Sequence, residues 1–127
     1  MKKIFALFLL TVFVTSFANA HHADPAPATL RHVVLFKFKD GTAAVDIKKV
    51  QDAFLALPSK IKEIKSLEWG TNNSPENLNE GFTHCFFVTF SSEQDRAIYL
   101  PHPDHKAFGK ILGPYLDKVL VLDYWVK

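Results

Sequence analysis

The chain has a single cysteine, Cys85, among its 127 residues. An intramolecular disulfide is therefore excluded, and the fold must be held by packing alone, even in an oxidising compartment. Cys85 lies in an apolar run from His84 to Val88, where a buried, inert thiol is the expected state. No cysteine stands at the end of the N-terminal apolar segment, which argues against a lipid-anchored product.

That N-terminal segment has no charge between Ile4 and Phe17. It follows Lys2 and Lys3 and ends in the small-x-small triplet 18–20, which is the pattern of a secretory signal peptide. The apolar run falls short of the ~20 residues that span a bilayer. We therefore predict a signal peptide over residues 1–20, a mature protein that begins at His21, and a periplasmic or secreted location with no membrane attachment after cleavage.

An excess of one charge is also lacking in the predicted mature chain. The whole sequence has 15 basic and 13 acidic residues, and residues 1–20 contain two lysines and no acid, which leaves 13 of each. A net charge of zero gives no support to nucleic-acid binding or to a polybasic membrane patch. Residues 21–29, with Pro25 and Pro27, are typical of a flexible leader, and residues 30–127 fit one domain.

Hydrophobic spacing predicts the elements of this domain. β-branched and aromatic runs indicate strands, whereas apolar residues at helical spacing, such as Val50 and Phe54, indicate helices. The predicted strands are 30–39, 64–71, 83–90 and 119–126, and the predicted helical segments are 42–57, 91–100 and one that begins at Pro103. The order β-α-β-β-α-β is that of an α+β, ferredoxin-like protomer.

Two of the predicted strands begin with a histidine, His32 in the first and His84 in the third. Each histidine precedes a phenylalanine by six residues and shares its strand face with apolar side chains, because strand residues alternate between faces. We expect the first and third strands to be central and parallel, which would bring the two imidazoles close together.

The opposite sheet face carries Val33, Leu35, Cys85 and Phe87, so it is too apolar to face water. Two helices can cover only one face of a four-stranded sheet. A second copy of the same chain could cover this apolar face by packing sheet against sheet, so we predict a homodimer.

Five segments in order resemble the stress-responsive dimeric α/β-barrel family. They are 31–39, Trp69-Gly70, 80–84, His102-Pro103-Asp104-His105 with Phe108, and 116–124. The resemblance covers Leu30 to about Tyr124 and implies two ferredoxin-like protomers joined through their sheets into a dimeric α/β barrel.

One branch of that family, the plant polyketide cyclases, implies a site. It assigns His105 as a general base and Tyr99 as a hydrogen-bond donor to substrate, with His32 and His84 near the same pocket. A pocket tyrosine on the cyclases' first helix falls at Phe54 here. Phenylalanines beneath the helices, including Phe86 and Phe108, would supply apolar contacts, although core packing is their default role.

We expect no metal or cofactor, although three places in the sequence invite a metal reading. His102 and His105 are three residues apart on a helix, but no carboxylate or cysteine in register completes a site, and His102 can simply cap the helix before Pro103. The family resemblance implies Mg²⁺ in some members at backbone carbonyls, which here would lie between Leu55 and Ile61. The predicted new amino terminus, His21-His22, offers amine and imidazole nitrogens that suit Cu²⁺.

Three functions follow from these residues. The leading expectation is an exported protein that binds a small apolar or phenolic molecule between the sheet and the helices. The alternative is a lyase- or cyclase-type enzyme in which His105 takes a proton and Tyr99 stabilises the resulting oxyanion. The third is a structural homodimer without a ligand. Convergence of Tyr99 and His105 on an open cavity would favour the enzyme.

Overall fold

The computed structural model describes residues 28–127, in which four strands alternate with helices. The predicted signal peptide, and the predicted leader up to residue 27, lie outside the described residues, as does the His21-His22 copper candidate. The elements in chain order are β1 (Leu30–Phe38), α1 (Ala44–Leu55), a 3₁₀ turn (Leu57–Ser59), β2 (Ser66–Thr71), β3 (His84–Phe90), α2 (Glu93–Tyr99), α3 (Pro103–Leu112) and β4 (Leu116–Trp125).

The strands form one sheet in the order β2-β3-β1-β4, with every neighbouring pair antiparallel. The α+β, ferredoxin-like prediction is confirmed. The predicted element bounds differ by a few residues. Helix α1 ends at Leu55 because Pro58 has no N–H to continue it, and the chain turns through the 3₁₀ segment instead. Strand β4 begins at Leu116, three residues before the predicted start.

The prediction that the first and third strands are parallel is wrong. In the antiparallel β1–β3 ladder, His32 is opposite Val88 and His84 is opposite Phe36. The two histidines therefore lie four residues apart along the sheet, which is about 13 Å at ~3.4 Å per residue. The reason is topological: β3 follows β2 through a loop and inserts between β2 and β1, so it runs against both.

The inner face of the sheet is buried beneath the helices over β1 and β3, whereas Val119 and Val121 on the inner face of β4 are 49% and 51% exposed. Leu30, Val34, Phe36 and Phe38 of β1 are at most 8% exposed, and the inner side chains of β3 are equally buried. Outward residues such as Val33, Leu35, Cys85 and Phe87 are only half-buried. On β4 the outward side chains remain open, with Leu122 56% exposed. The sheet thus has one face that the helices cover over its central strands and one apolar face without cover in the described chain.

None of the helices in the described residues is long and apolar enough to cross a membrane.

Candidate functional site

A cavity of about 370 Å³ lies between the inner face of β1 and β4 and the helices. Its volume falls in the range of small-molecule pockets, and most of its wall is apolar. The lining residues are His32, Val34, Phe36, Phe54, Tyr99, Leu100, His105, Lys106, Phe108, Gly109, Leu112, Val119 and Val121.

Tyr99 is the last residue of α2, and its side chain is completely buried. Its hydroxyl has no hydrogen-bond partner among the described residues, which is unusual because buried polar groups are normally paired. Burial raises the pKa of Tyr99 well above its ordinary value, so the phenol stays protonated at physiological pH. The structure therefore offers a buried hydrogen-bond donor at the wall of the cavity.

His105 lies in the first turn of α3, which is fixed by Pro103 at its start and by His102, whose side chain accepts the Asp104 N–H at 3.2 Å. The predicted capping role of His102 is confirmed. Nδ1 of His105 is 2.9 Å from the carbonyl oxygen of Leu100. Because a carbonyl can only accept, Nδ1 carries the proton, and Nε2 of the neutral ring keeps a free lone pair.

The Tyr99 and His105 rings lie close together, with 4.3 Å between their centroids. The third polar ring, His32, contacts Tyr99 edge-on with a centroid distance of 5.8 Å. A donor phenol and two imidazoles thus reach one apolar cavity.

His32 is held by a carboxylate that the sequence analysis did not single out. Its Nδ1 donates to Asp123 Oδ1 at 2.6 Å, and Arg96 donates to Asp123 Oδ2 at 2.7 Å. Burial lowers the pKa of His32, while the hydrogen bond to Asp123 opposes that shift. His32 is therefore oriented by a paired carboxylate and presents its other nitrogen, Nε2, without a partner among the described residues.

The signal for Asp123 was present in the strand pattern. Val119, Val121 and Asp123 alternate on one face of β4, and a carboxylate in an otherwise apolar series needs a partner. Antiparallel pairing places Asp123 directly opposite His32. Arg96 had no comparable signal, because α2 is short and its register against β4 is a tertiary property.

The apolar wall is an aromatic stack. Phe54 and Phe108 line the cavity with ring centroids 4.8 Å apart. Phe86 is fully buried behind Phe54, with centroids 4.2 Å apart, and does not line the cavity. Of the predicted ligand-contacting phenylalanines, Phe54 and Phe108 are placed at the cavity, and Phe86 supports them from beneath.

His84 lies outside this cavity, contrary to the expectation that it shares a pocket with His32. Both of its nitrogens have partners: Nδ1 is 2.8 Å from Thr83 Oγ1, and Nε2 is 2.8 Å from Gln51 Nε2. Burial lowers its pKa, so the neutral ring is favoured. His84 borders a separate depression of about 250 Å³ at the start of β3, and its saturated hydrogen bonding indicates a structural histidine.

No group of three or more His, Cys, Asp or Glu residues that could hold a metal ion occurs in residues 28–127. In the stretch between Leu55 and Ile61, the carbonyl of Ala56 accepts from both the N–H and the hydroxyl of Ser59, and that of Leu57 accepts the N–H groups of Lys60 and Ile61. These two oxygens do not fit as Mg²⁺ ligands. Magnesium at the remaining carbonyls stays a prediction.

The fold and the cavity define a class: small ferredoxin-like α+β proteins with a histidine–tyrosine pocket beneath the helices. The chain belongs to the stress-responsive A/B barrel domain family, whose family model matches residues 30–126. It is 40% identical over 101 residues to the stress-response A/B barrel domain-containing protein HS1 of Arabidopsis thaliana, covering 80% of this chain and 93% of that protein. It is 30% identical over 95 residues to olivetolic acid cyclase of Cannabis sativa, covering 75% and 94%.

Solved structures with the same fold include the hydroxynitrile lyase from Passiflora edulis, with a TM-score of 0.74 at 29% identity, covering 80% of this chain and 95% of that one. A dimeric protein of unknown function with a ferredoxin-like fold from Bacteroides fragilis has a TM-score of 0.64 at 31% identity, covering 77% and 96%. The family and fold expected from the sequence are thus confirmed.

Proposed function

We propose that the cavity is the active site of a lyase- or cyclase-type enzyme that acts on a small apolar or phenolic carbonyl compound. The observation that carries this proposal is the buried, unpartnered hydroxyl of Tyr99, whose ring lies 4.3 Å from the ring of His105, a histidine that bonds through Nδ1 and leaves Nε2 free. A donor and a base that meet in one apolar cavity are what enolising chemistry needs. Two of the similar proteins are enzymes by name, a cyclase and a lyase.

The proposed step is a proton transfer. Nε2 of His105 takes a proton from the carbon next to the substrate carbonyl, the electron pair of that C–H bond forms the enolate C=C bond, and the π electrons of the carbonyl move onto its oxygen. Tyr99 donates a hydrogen bond to the oxyanion as it forms. The carbon nucleophile then adds to a second carbonyl or expels a leaving group, and His105 returns the proton. Positioned acid–base groups contribute ~10²–10⁴-fold, and a lost oxyanion donor costs ~10²–10³-fold.

Proton exchange tests this step without knowledge of the natural product. Purified protein is incubated in D₂O with a panel of phenolic ketones, and loss of the α-proton signals is followed by NMR. We expect His105→Ala and Tyr99→Phe each to slow exchange by roughly a hundredfold.

Tyr115→Phe is the matched control for Tyr99→Phe. The Tyr115 hydroxyl donates to Asp46 at 3.0 Å, and Tyr115 is not a lining residue of the cavity, so this variant should exchange as the wild type does. Binding of these ketones without any proton exchange would instead support a protein that binds small molecules without catalysis. Absence of both would leave only the structural dimer.

We further propose that the outward sheet face pairs with a second copy. Support comes from the half-buried apolar side chains of that face, including Leu35 and Phe87, from the exposed Leu120 and Leu122 of β4, and from the dimeric protein of the same fold. Arg31 on the same face has partners within the protomer, because it donates to Thr89 and lies 5.1 Å over the Phe87 ring. We also propose that the N-terminal segment directs export of the protein.

A further inference from the structure

The mouth of the cavity carries a lysine, Lys106, that the proposed proton transfer does not use. Among the cavity-lining residues in the described part of the chain, Lys106 alone is a lysine, arginine, aspartate or glutamate. It is the residue after His105 on α3 and is exposed, so its alkyl stem lines the cavity while its ammonium group stays in water. A cation at the rim of an apolar cavity is a means of selecting a ligand by charge.

The ammonium group has no ion-pair partner within residues 28–127. Asp104, two residues before Lys106 on α3, is 3.5 Å from His102 Nδ1 and 4.0 Å from Lys60. Asp123, which is 2.6 Å from the cavity residue His32, is also bound by Arg96 at 2.7 Å. Neither carboxylate forms an ion pair with Lys106.

We propose that Lys106 binds a carboxylate of the substrate, so that the enzyme acts on aromatic or phenolic acids rather than on neutral phenols. This inference rests on the proposed function of the cavity. The carboxylate pairs with the ammonium group at the mouth, and the apolar ring of the ligand packs against Phe54 and Phe108. The substrate carbonyl then lies deeper, beside Tyr99 and His105. Opposite charge at the entrance also raises the rate of encounter with an anion.

Matched pairs of ligands test the charge preference. Binding of 4-hydroxycinnamate and methyl 4-hydroxycinnamate, and of further acid and methyl ester pairs of the same aromatic class, is measured by isothermal titration calorimetry at low ionic strength. We expect the acids to bind more tightly than their esters. Because the pair is partly exposed, the expected advantage is about two- to fivefold, and added salt should reduce it.

Three variants separate the charge from the stem. Lys106→Gln keeps most of the alkyl stem and removes the charge, so it should weaken acid binding by about two- to fivefold and leave ester binding unchanged. Lys106→Arg should restore the preference. Lys110→Gln is the matched control, because Lys110 is exposed one turn further along α3 and does not line the cavity.

The outcomes are distinct from those of the proposed function. Equal binding of acids and esters to the wild type, or an equal loss for both ligands in Lys106→Gln, overturns the role of Lys106 while the enzyme proposal stands. A loss of acid preference in Lys110→Gln of the same size also overturns it, because the effect would then be one of overall charge. Absence of binding for every pair contradicts the proposed function itself, and the inference fails with it.

Discussion

Tyr99→Phe should stabilise the ligand-free protein while it impairs the proposed activity. The change removes one oxygen from a side chain with no exposed surface. The ring itself keeps its contacts with His105 at 4.3 Å and Phe90 at 5.1 Å between centroids. Only the desolvated, unpartnered hydroxyl is lost.

The magnitude follows from the cost of that hydroxyl. A buried polar group without a partner costs ~1–3 kcal/mol, and a water in a cavity of this size can recover part of the cost. We therefore expect the free energy of unfolding to rise by about 1 kcal/mol. In a domain of this size, that raises Tm by roughly 4–8 °C.

Urea denaturation and calorimetry of the wild type and Tyr99→Phe measure this difference, with Tyr115→Phe as the control. Tyr115→Phe breaks an existing hydrogen bond to Asp46, so it should be neutral or mildly destabilising. A loss of about 1 kcal/mol or more in Tyr99→Phe would refute the reasoning, because the hydroxyl would then have a strong structural partner. Stabilisation without any loss of proton exchange would leave the hydroxyl unpartnered but would remove its catalytic role.

Alkaline pH gives a second readout of the same residue. Burial raises the pKa of Tyr99 above its ordinary value of about 10. Above that pH, the unfolded chain releases the phenolic proton and the folded chain keeps it, so stability is full below about pH 10 and falls as the pH rises further. Tyr99→Phe should flatten this alkaline decline, and an unchanged decline would show that the phenol ionises freely in the folded protein.

Four further predictions follow. Leu35→Asp places a charge in the outward sheet face and should give monomeric or unfolded protein in a sedimentation experiment. The control Val45→Asp, at a helix position that is 74% exposed, should sediment as the wild type does. A normal dimer of Leu35→Asp would refute sheet-to-sheet pairing. Phe54→Tyr adds a phenol to the cavity wall and should alter affinity for phenolic ligands in calorimetry, and unchanged affinity for all of them would place Phe54 outside the binding site. Burial lowers the pKa of His32 and His84. The free energy of unfolding should therefore be full above about pH 6.5 and fall at lower pH, by at most ~1.4 kcal/mol per pH unit for each histidine. Urea midpoints that are constant from pH 7.5 to about pH 5.5 would contradict this. Amino-terminal sequencing of the exported protein should begin at His21, and a product that begins at Met1 would contradict cleavage.

Element order and faces were predictable because they depend on local periodicity. Alternation in β1 correctly placed His32, Val34 and Phe36 on the buried face. The strand direction was not read from such a pattern. The shared histidine-to-phenylalanine spacing of β1 and β3 suggested a spatial repeat, but pairing direction depends on the order in which strands enter the sheet. A loop from β2 to β3 makes β3 antiparallel, whatever residues the strand contains.

The candidate site was predictable only in part for a related reason. Tyr99 and His105 are close in sequence, and a short turn in which the His102 N–H donates to the Tyr99 carbonyl at 3.0 Å brings α2 and α3 together. Family resemblance could therefore indicate both. The Asp123 contact to His32 spans 91 residues and depends on the β1–β4 register, which periodicity does not determine. Local motifs identify such residues singly, whereas their partners are set by long-range pairing.

The histidines differ in whether both of their ring nitrogens have hydrogen-bond partners, and this difference bears on their roles. His84 has both nitrogens engaged, which is what a histidine needs when its task is to fill a place in the core. His32 and His105 each have Nδ1 tied to an acceptor and Nε2 without a partner among the described residues, and both rings line the cavity with the unpartnered hydroxyl of Tyr99. A core selected for stability alone would hold phenylalanine at position 99 and would saturate both rings. The unmet hydrogen bonds belong to residues that line one cavity, and they are the bonds that the proposed ligand would complete.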